Sequence, residues 1–208
     1  MRIGLFGGTF DPIHWGHLRS AEEVREAFSL DRVLFVPASE PPLKRKKPAT
    51  TARQRLAMVR LAIAGNRAFG LSEVELSRPG KSYTIDTLRY FRRALPAKTG
   101  LYLMLGLDAF REFASWKDFR EIFPLCHLVV TSRPGSGGAL SLARMPVAVR
   151  RPFCYDPRKK AYHHESSTLL YFFQLTDIAI SSSEIRRQLR RGRSIRYLVP
   201  SQVERYIK

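Results

Sequence analysis

The sequence predicts an α/β protein built on a doubly wound parallel sheet, with a small helical part near its C-terminal end. Short apolar runs alternate with amphipathic stretches of helical period from residue 3 to residue 131. This alternation is typical of parallel strands that are joined by helices. A length of 208 residues fits one domain with a sizeable core. We therefore expect a single domain over residues 1–208.

Strands are predicted where short apolar or alternating runs are bounded by turn residues. These strands are residues 3–6, 32–36, 69–76, 101–105, 127–131, 169–175 and 177–180. Helices are predicted where apolar residues recur at helical spacing beside capping residues. The first three predicted helices are residues 16–28, residues 53–64 and residues 82 to about 95. A fourth begins at a cap formed by Ser182 or Ser183 and ends at Gly192. A short fifth helix begins at Pro200.

Two stretches are predicted to lack regular structure. Residues 37–52 contain four prolines, which helices and central strands disfavour. Residues 135–168 combine glycines, prolines and a group of basic side chains, and we expect an irregular basic insertion there. One hypothesis for this insertion is a basic cover over the functional site.

Charge and cysteine content narrow the class of protein. The formal net charge is +18, which is compatible with an anionic partner or with a basic surface that contacts only solvent. Only two cysteines occur, Cys126 and Cys154, which favours reduced thiols in a cytoplasmic protein. No apolar run has the length of a transmembrane helix, and the first residues lack a signal-peptide core.

The most informative segment is GGTFDPIHWGH at residues 7–17, directly after the first predicted strand. We expect Gly7 and Gly8 to let the backbone turn sharply and approach a ligand. A helix that begins near Gly16 would direct its N-terminal N–H groups at a phosphate. His14 and His17 are three residues apart, so their imidazoles can share a face and either donate hydrogen bonds to phosphate oxygens or bind a metal.

This segment resembles the signature of the HxGH nucleotidyltransferase superfamily, and its wording is closest to the nicotinate-mononucleotide adenylyltransferases. Further segments also resemble that family. Residues 180–186 resemble ISSTxIR, with Ser183 in place of threonine, and residues 82–88 resemble SYTxDTL. Residues 106–116 resemble its GxD…W segment, and residues 41–44 its PPHK loop, with Leu43 in place of histidine. Together these segments extend over most of the chain.

The resemblance implies a Rossmann-like nucleotidyltransferase fold and adenylyl transfer from ATP to nicotinate mononucleotide in NAD biosynthesis. It implies that His14 and His17 are catalytic. The residues implied for ATP binding are Gly7, Gly8, Thr9, Phe10, His14, His17, Ser181, Ser182, Ser183 and Arg186. The residues implied for nicotinate mononucleotide binding are Lys44, Ser82, Tyr83, Thr84, Asp108 and Trp116. Mg²⁺ is expected to arrive with ATP, without protein ligands of its own.

Several alternatives stay open at this point. The chain could be another HxGH transferase, such as a phosphopantetheine adenylyltransferase or a cytidylyltransferase. Six arginines within residues 186–196 also fit a nucleic-acid-binding protein, although we expect no dedicated nucleic-acid partner and no membrane. Trp116 could be a core aromatic residue and Asp108 a helix cap. The preference for nicotinate over nicotinamide is open, and so is the oligomeric state, for which a homodimer is one alternative.

Overall fold

The described strands form one mixed sheet in the structure, a computed structural model that describes residues 1–42, 48–132 and 142–208. The strands are Arg2–Gly8 (β1), Arg32–Pro37 (β2), Phe69–Leu71 (β3), Gly100–Gly106 (β4), His127–Ser132 (β5), Phe153–Asp156 (β6), Ala161–His164 (β7) and Leu169–Gln174 (β8). Their order is β3-β2-β1-β4-β5-β8-β7-β6. All pairs from β3 to β8 are parallel. The predicted doubly wound parallel sheet is confirmed for this part.

The region expected to be irregular contains an antiparallel hairpin instead. β6 pairs with β7, and β7 pairs with β8, both in antiparallel orientation. Tyr155 faces Tyr162 across the hairpin at a ring separation of 5.1 Å. Phe153 packs edge-on against Phe123 at 5.0 Å. The expectation of an irregular insertion was wrong for these strands because such cross-strand and tertiary contacts leave little local pattern.

The described helices are Trp15–Ala27 (α1), Ala52–Ile63 (α2), Thr84–Ala94 (α3), Leu107–Arg111 (α4), Phe119–Ile122 (α5), Val147–Arg150 (α6), Ser182–Arg190 (α7) and Ser201–Ile207 (α8). The helices predicted from periodicity are confirmed within one or two residues. The short helices α4, α5 and α6 were not predicted, since each spans little more than one turn. The N-terminal cap of α7 is Ser181, whose Oγ accepts from the N–H of Glu184, rather than Ser182 or Ser183.

Two strand predictions were wrong: one predicted strand is absent, and another is shorter than predicted. Residues 177–180 form no strand, because the N–H of Ile180 bonds back to the carbonyl of Ile178 in a tight turn. β3 ends at Leu71 instead of residue 76, because the N–H groups of Leu76 and Ser77 both bond to the carbonyl of Glu73. In both places the apolar alternation is real, but the backbone groups find local partners.

Apolar side chains pack on both faces of the sheet. Along β4, Leu101, Leu103 and Leu105 belong to one buried cluster, and Tyr102 and Met104 belong to the other. This alternation is what a strand covered on both faces requires. Helices α3 and α5 contribute to the first cluster, and helices α1, α2, α7 and α8 contribute to the second. In the part of the chain that the structure describes, none of the helices is long and apolar enough to cross a membrane.

The strand order reverses direction between β1 and β4, which are paired neighbours. β1 ends at Gly8 and β4 ends at Gly106, so the two glycine-marked ends lie side by side. In doubly wound sheets, ligands bind outside the carboxyl ends of the strands at such a reversal. This point of the fold is therefore where we expect a ligand to bind.

The two thiols differ in exposure, and this difference predicts their reactivity. Cys154 is exposed, whereas Cys126 is buried and burial raises its pKa to about 12. We expect a chromogenic aromatic disulfide to react rapidly with one thiol of the native protein, because a thiolate is the reacting form. Cys154→Ser should remove that rapid phase, and denaturant should expose the second thiol. Two equally fast thiols in the native protein would contradict the burial of Cys126.

Candidate active site

The loop after β1 turns at Phe10, not at the glycines that precede it. Gly7 and Gly8 both lie within β1, while Phe10 has a φ of +50° and a cis peptide bond joins Asp11 to Pro12. The predicted glycine turn was therefore misplaced by two residues. Gly8 has a packing role instead, because a Cβ there would lie 2.8 Å from Cζ of Phe10. At Gly7 an added Cβ would meet nothing within 4 Å.

The two histidines lie together at the start of α1. His14 is the buried N-cap residue of this helix, and its ring stacks on that of His17 at 3.7 Å. The backbone N–H of His14 donates to Nδ1 of His17 at 3.3 Å. A neutral His17 ring that accepts at Nδ1 carries its proton on Nε2. His17 can therefore present a hydrogen-bond donor at Nε2, as the predicted phosphate contact requires.

Helix α7 closes over this loop from the far end of the chain. Nη1 of Arg186 donates to the carbonyl of Asp11 and lies 3.7 Å from its Oδ2 atom. Oγ of Ser182 donates to the carbonyl of Pro12 at 2.9 Å. Two segments about 170 residues apart in sequence thus meet at one point, which local sequence patterns could not show.

A polar cavity of about 300 Å³ lies between the two segments. Most of the residues predicted to bind ATP line it, namely Thr9, Phe10, His14, His17, Ser181, Ser182, Ser183 and Arg186. The capping residues of α1 and α7 are both in this wall, so the positive dipole ends of two helices reach the cavity. Two helix N-termini, a guanidinium and imidazoles together favour a phosphate ligand.

A buried guanidinium that the sequence analysis missed holds the loops beside this cavity. Arg55 on α2 is 1% exposed and donates to the carbonyls of Thr9, Ala38 and Ser39 at 2.9, 2.6 and 3.0 Å. Burial lowers the pKa of Arg55, and the nearby Asp11 carboxylate offsets part of that shift. The available signal was an arginine four residues before Val59 on the apolar face of the predicted helix.

A second, more apolar cavity begins at Trp116 and extends inward. Its outer part, about 410 Å³, is lined by the predicted residues Ser82, Tyr83, Thr84 and Trp116. Its inner part, about 220 Å³, shares three of these residues and continues to Gly7, Gly8 and Thr9. Trp116 packs on Phe113 at 5.1 Å, and its buried Nε1 has no hydrogen-bond partner among the described residues. A planar ring and an unused donor suit an aromatic ligand with a polar substituent.

Three of the predicted site residues, Asp108, Gly7 and Gly8, line a different cavity from the one expected, and a fourth lies outside the described residues. Asp108 is in the first turn of α4, forms an ion pair with Arg111 at 3.0 Å, and lines a third cavity of about 380 Å³ together with His17 and Ser132. It does not line the cavity of Trp116. Gly7 and Gly8 line the inner part of the Trp116 cavity rather than the phosphate-like cavity. Lys44 and its neighbour Leu43 lie outside the described residues.

The inner cavity also contains a carboxyl group that the sequence analysis missed. Glu75 is buried, and the hydroxyl of Thr87 donates to its Oε1 at 2.7 Å. Burial raises the pKa of Glu75, while hydrogen bonds from Thr87 and Ser82 and the charge of Arg78 oppose that rise. No local pattern marks Glu75, because its burial depends on the turn after β3.

Comparison with known proteins places the chain in a family. A family model described as cytidylyltransferase-like matches residues 5–188. Proteins of Geobacter sulfurreducens and Pelobacter propionicus, both named probable nicotinate-nucleotide adenylyltransferase, are 48% and 50% identical to the chain. The matches cover the whole chain and 95% and 96% of those relatives. The chain belongs to the nicotinate-nucleotide adenylyltransferase family. The resemblance based on the sequence motifs is thereby confirmed.

The fold of this adenylyltransferase family member also matches a solved structure. Plasmodium falciparum nicotinic acid mononucleotide adenylyltransferase, complexed with NaAD, superposes with a TM-score of 0.72 at 17% identity. The match covers 99% of the chain and 94% of that structure. At this identity the likeness shows the shared fold, whereas the bacterial relatives favour nicotinate-nucleotide adenylyltransferase over the other HxGH transferases.

The packing of Phe10 on Gly8 predicts different effects for two alanine substitutions. Gly8→Ala should force the Phe10 ring to move and destabilise the adenylyltransferase by about 1–3 kcal/mol. This corresponds to a fall in Tm of roughly 3–10 °C. Gly7→Ala is the matched control, because its added methyl group meets open space. Thermal unfolding followed by circular dichroism measures both; equal Tm values for the two variants would contradict the close contact at Gly8.

Proposed function

We propose that this protein transfers the adenylyl group of ATP to nicotinate mononucleotide and releases pyrophosphate. The observation that supports this most is the junction of two unlike cavities at Thr9. One is polar and lined by His14, His17 and Arg186, and the other is apolar and lined by Trp116. Such a pair suits a triphosphate beside a planar aromatic nucleotide. The names of the bacterial relatives support the same activity.

On the ATP side, His14 and His17 donate hydrogen bonds to the phosphates. Ser181, Ser182 and Ser183 surround the N-terminus of α7, and together with Arg186 they hold the β- and γ-phosphates. The backbone from Gly7 to Phe10 forms a wall next to the reacting α-phosphate. The third cavity, which His17, Asp108 and Ser132 line, is large enough for the adenosine part of ATP. In this proposal Asp108 therefore contacts ATP instead of nicotinate mononucleotide.

On the acceptor side, Trp116 stacks on the pyridine ring of nicotinate mononucleotide. Ser82, Tyr83 and Thr84 surround the same cavity, and the first N–H groups of α3 lie beside it. These backbone donors suit the carboxylate of nicotinate. A phosphate contact from Lys44 stays a prediction, because this residue lies outside the described ranges.

The reaction is a direct displacement at phosphorus. A phosphate oxygen of the mononucleotide attacks the α-phosphorus of ATP, and the bond from that phosphorus to the oxygen bridging the α- and β-phosphates breaks. The electron pair of that bond leaves with pyrophosphate. The nucleophile is already an anion and needs no general base. Catalysis then comes from positioning two mutually repelling anions and from stabilising the developing charge.

Mg²⁺ fits this site as an ion that ATP carries. Among the described residues, Asp11 is the one carboxylate that lines the polar cavity. Its oxygens already accept from the N–H of Ala49 at 2.7 Å and from the hydroxyl of Thr50 at 2.6 Å. Phosphate oxygens and water are therefore the expected ligands, which Mg²⁺ prefers. When bound, the ion would neutralise charge on the triphosphate.

The wider setting of the reaction remains a set of predictions. We expect one nucleotidyltransferase domain over residues 1–208, which the continuous pairing from β3 to β6 supports. We expect a cytoplasmic enzyme whose partners are its small-molecule substrates, without a dedicated nucleic-acid partner. The inward position of Arg186 supports a phosphate contact for at least one residue of the arginine-rich segment. Monomer and homodimer are both compatible with this proposal.

The assigned role of His17 predicts a loss of rate with an intact fold. His17→Ala should lower kcat by about 100-fold or more, the size expected when a donor to a developing charge is removed. The measurement is pyrophosphate release from ATP and Mg²⁺ with nicotinate mononucleotide, beside nicotinamide mononucleotide and phosphopantetheine. His163→Ala on β7 is the control and should keep the wild-type Tm. His17→Ala loses the acceptor for the N–H of His14, so it should stay folded with a Tm about 2–8 °C lower. Unchanged turnover in His17→Ala would refute the role.

Two adjacent arginines on α7 provide a second, matched test. Arg186 lines the polar cavity, whereas Arg187 forms an ion pair with Glu184 and is largely exposed. Arg186→Met should raise the KM for ATP by about tenfold or more, because a charge-assisted contact to phosphate is lost. Arg187→Met should change this KM by less than about twofold. Initial-rate kinetics at saturating acceptor measure both, and similar KM values for the two variants would contradict the assignment.

A further inference from the structure

The described residues that line the cavity at Trp116 differ in charge from the rest of this basic protein. Among the described residues that line its outer and inner parts, the charged ones are Glu75, Glu112 and Lys117. Glu112 and Lys117 are exposed at the outer part. Within the described ranges, the buried wall therefore has a single charged group, Glu75, which is 7% exposed. A buried carboxyl group is costly unless something compensates for it.

The hydrogen bonds around Glu75 favour its ionised form. The hydroxyl of Thr87 accepts from Nη2 of Arg78 at 2.8 Å and donates to Glu75 at 2.7 Å. The hydroxyl of Ser82 accepts from the N–H of Ser39 at 2.9 Å. Burial raises the pKa of Glu75, and the Thr87 and Ser82 hydroxyls and the charge of Arg78 oppose that rise. The Thr87 oxygen already accepts from Arg78, and its proton is available to the carboxylate. The Thr87 donor and the nearby Arg78 guanidinium stabilise a negative charge at this position.

The proposed acceptor carries the opposite charge on its ring. In a nicotinate mononucleotide the pyridine nitrogen is bonded to ribose, so the ring is a pyridinium cation. A cation and a carboxylate in one water-poor cavity attract each other more strongly than in water. We propose that Glu75 is a specificity-determining residue, whose carboxylate balances the pyridinium charge and favours a cationic ring over a neutral one. This inference rests on the proposed function.

A second role for Glu75 must be separated from this one. The same hydrogen bonds join the turn after β3 to the start of α3 and to the loop after β2, so Glu75 also holds the cavity wall together. Loss of the wall would weaken every acceptor alike. Loss of a counter-charge would weaken only acceptors with a charged ring. The ratio between a charged and a neutral ring therefore distinguishes the two roles.

The experiment compares nicotinate mononucleotide with its 1,4-dihydropyridine form, which has nearly the same shape and a neutral ring. The kcat/KM of each is measured by pyrophosphate release, and the Kd of each is measured by calorimetry without ATP. We expect wild type to prefer the cationic form and Glu75→Gln to lower this preference by about tenfold or more, the effect of removing one partner of a buried charge pair. Thr87→Val, which removes a donor to the Glu75 carboxylate, should lower the preference in the same direction but by less than Glu75→Gln does. Glu112→Gln, which removes an exposed carboxylate, should leave the preference within about twofold.

The outcomes separate the two proposals. Equal weakening of both ring forms by Glu75→Gln would overturn the counter-charge and leave Glu75 as a structural residue. If that variant does not fold, Glu75→Asp keeps the charge one methylene farther away, and we expect a smaller loss of preference in the same direction; no loss overturns the proposal. A wild-type enzyme that neither binds nor uses nicotinate mononucleotide would overturn the proposed function, and this inference with it, before any variant is compared.

Discussion

The loop after β1 is fixed by two buried charged side chains, Arg55 and Asp11, and the geometry of the site depends on it. Arg55 binds the carbonyls of Thr9 and Ala38 and so ties the ends of β1 and β2 together. Asp11 binds the backbone of Ala49 and meets Arg186 from α7. Burying these charges is costly, but each has partners that replace water. The result is a loop that presents His14 and His17 in one defined arrangement.

The reversal of strand order at β1 and β4 gives the site its two halves. Thr9, directly after β1, lines both the polar cavity and the inner part of the Trp116 cavity. The half next to α1 and α7 combines helix N-termini with Arg186, whereas the half next to α3 combines Trp116 with Glu75. Charge is thus separated within the site, in a protein whose net charge alone would suggest only a general attraction for anions.

The sequence relatives and the matching solved structure support different conclusions, the first about the family and the second about the fold. Relatives that are 48–50% identical over the whole chain show the family, and a structure at 17% identity shows that the fold tolerates wide sequence change. Folds persist in this way because many apolar sequences fill a sheet covered by helices. Function, in contrast, requires particular side chains at particular positions. In our proposals, these are the residues that line the two cavities.

The sequence by itself determined the parallel strands, the long helices and the identity of most residues at the polar cavity. These features depend on local periodicity, on capping residues and on one contiguous motif, all of which are visible in short segments. Tertiary structure alone decided the β6–β7 hairpin, the turn at Phe10, the position of Asp108 and the burial of Arg55 and Glu75. Each of these depends on partners distant in sequence, and a side chain's burial is set by what packs over it rather than by its neighbours along the chain.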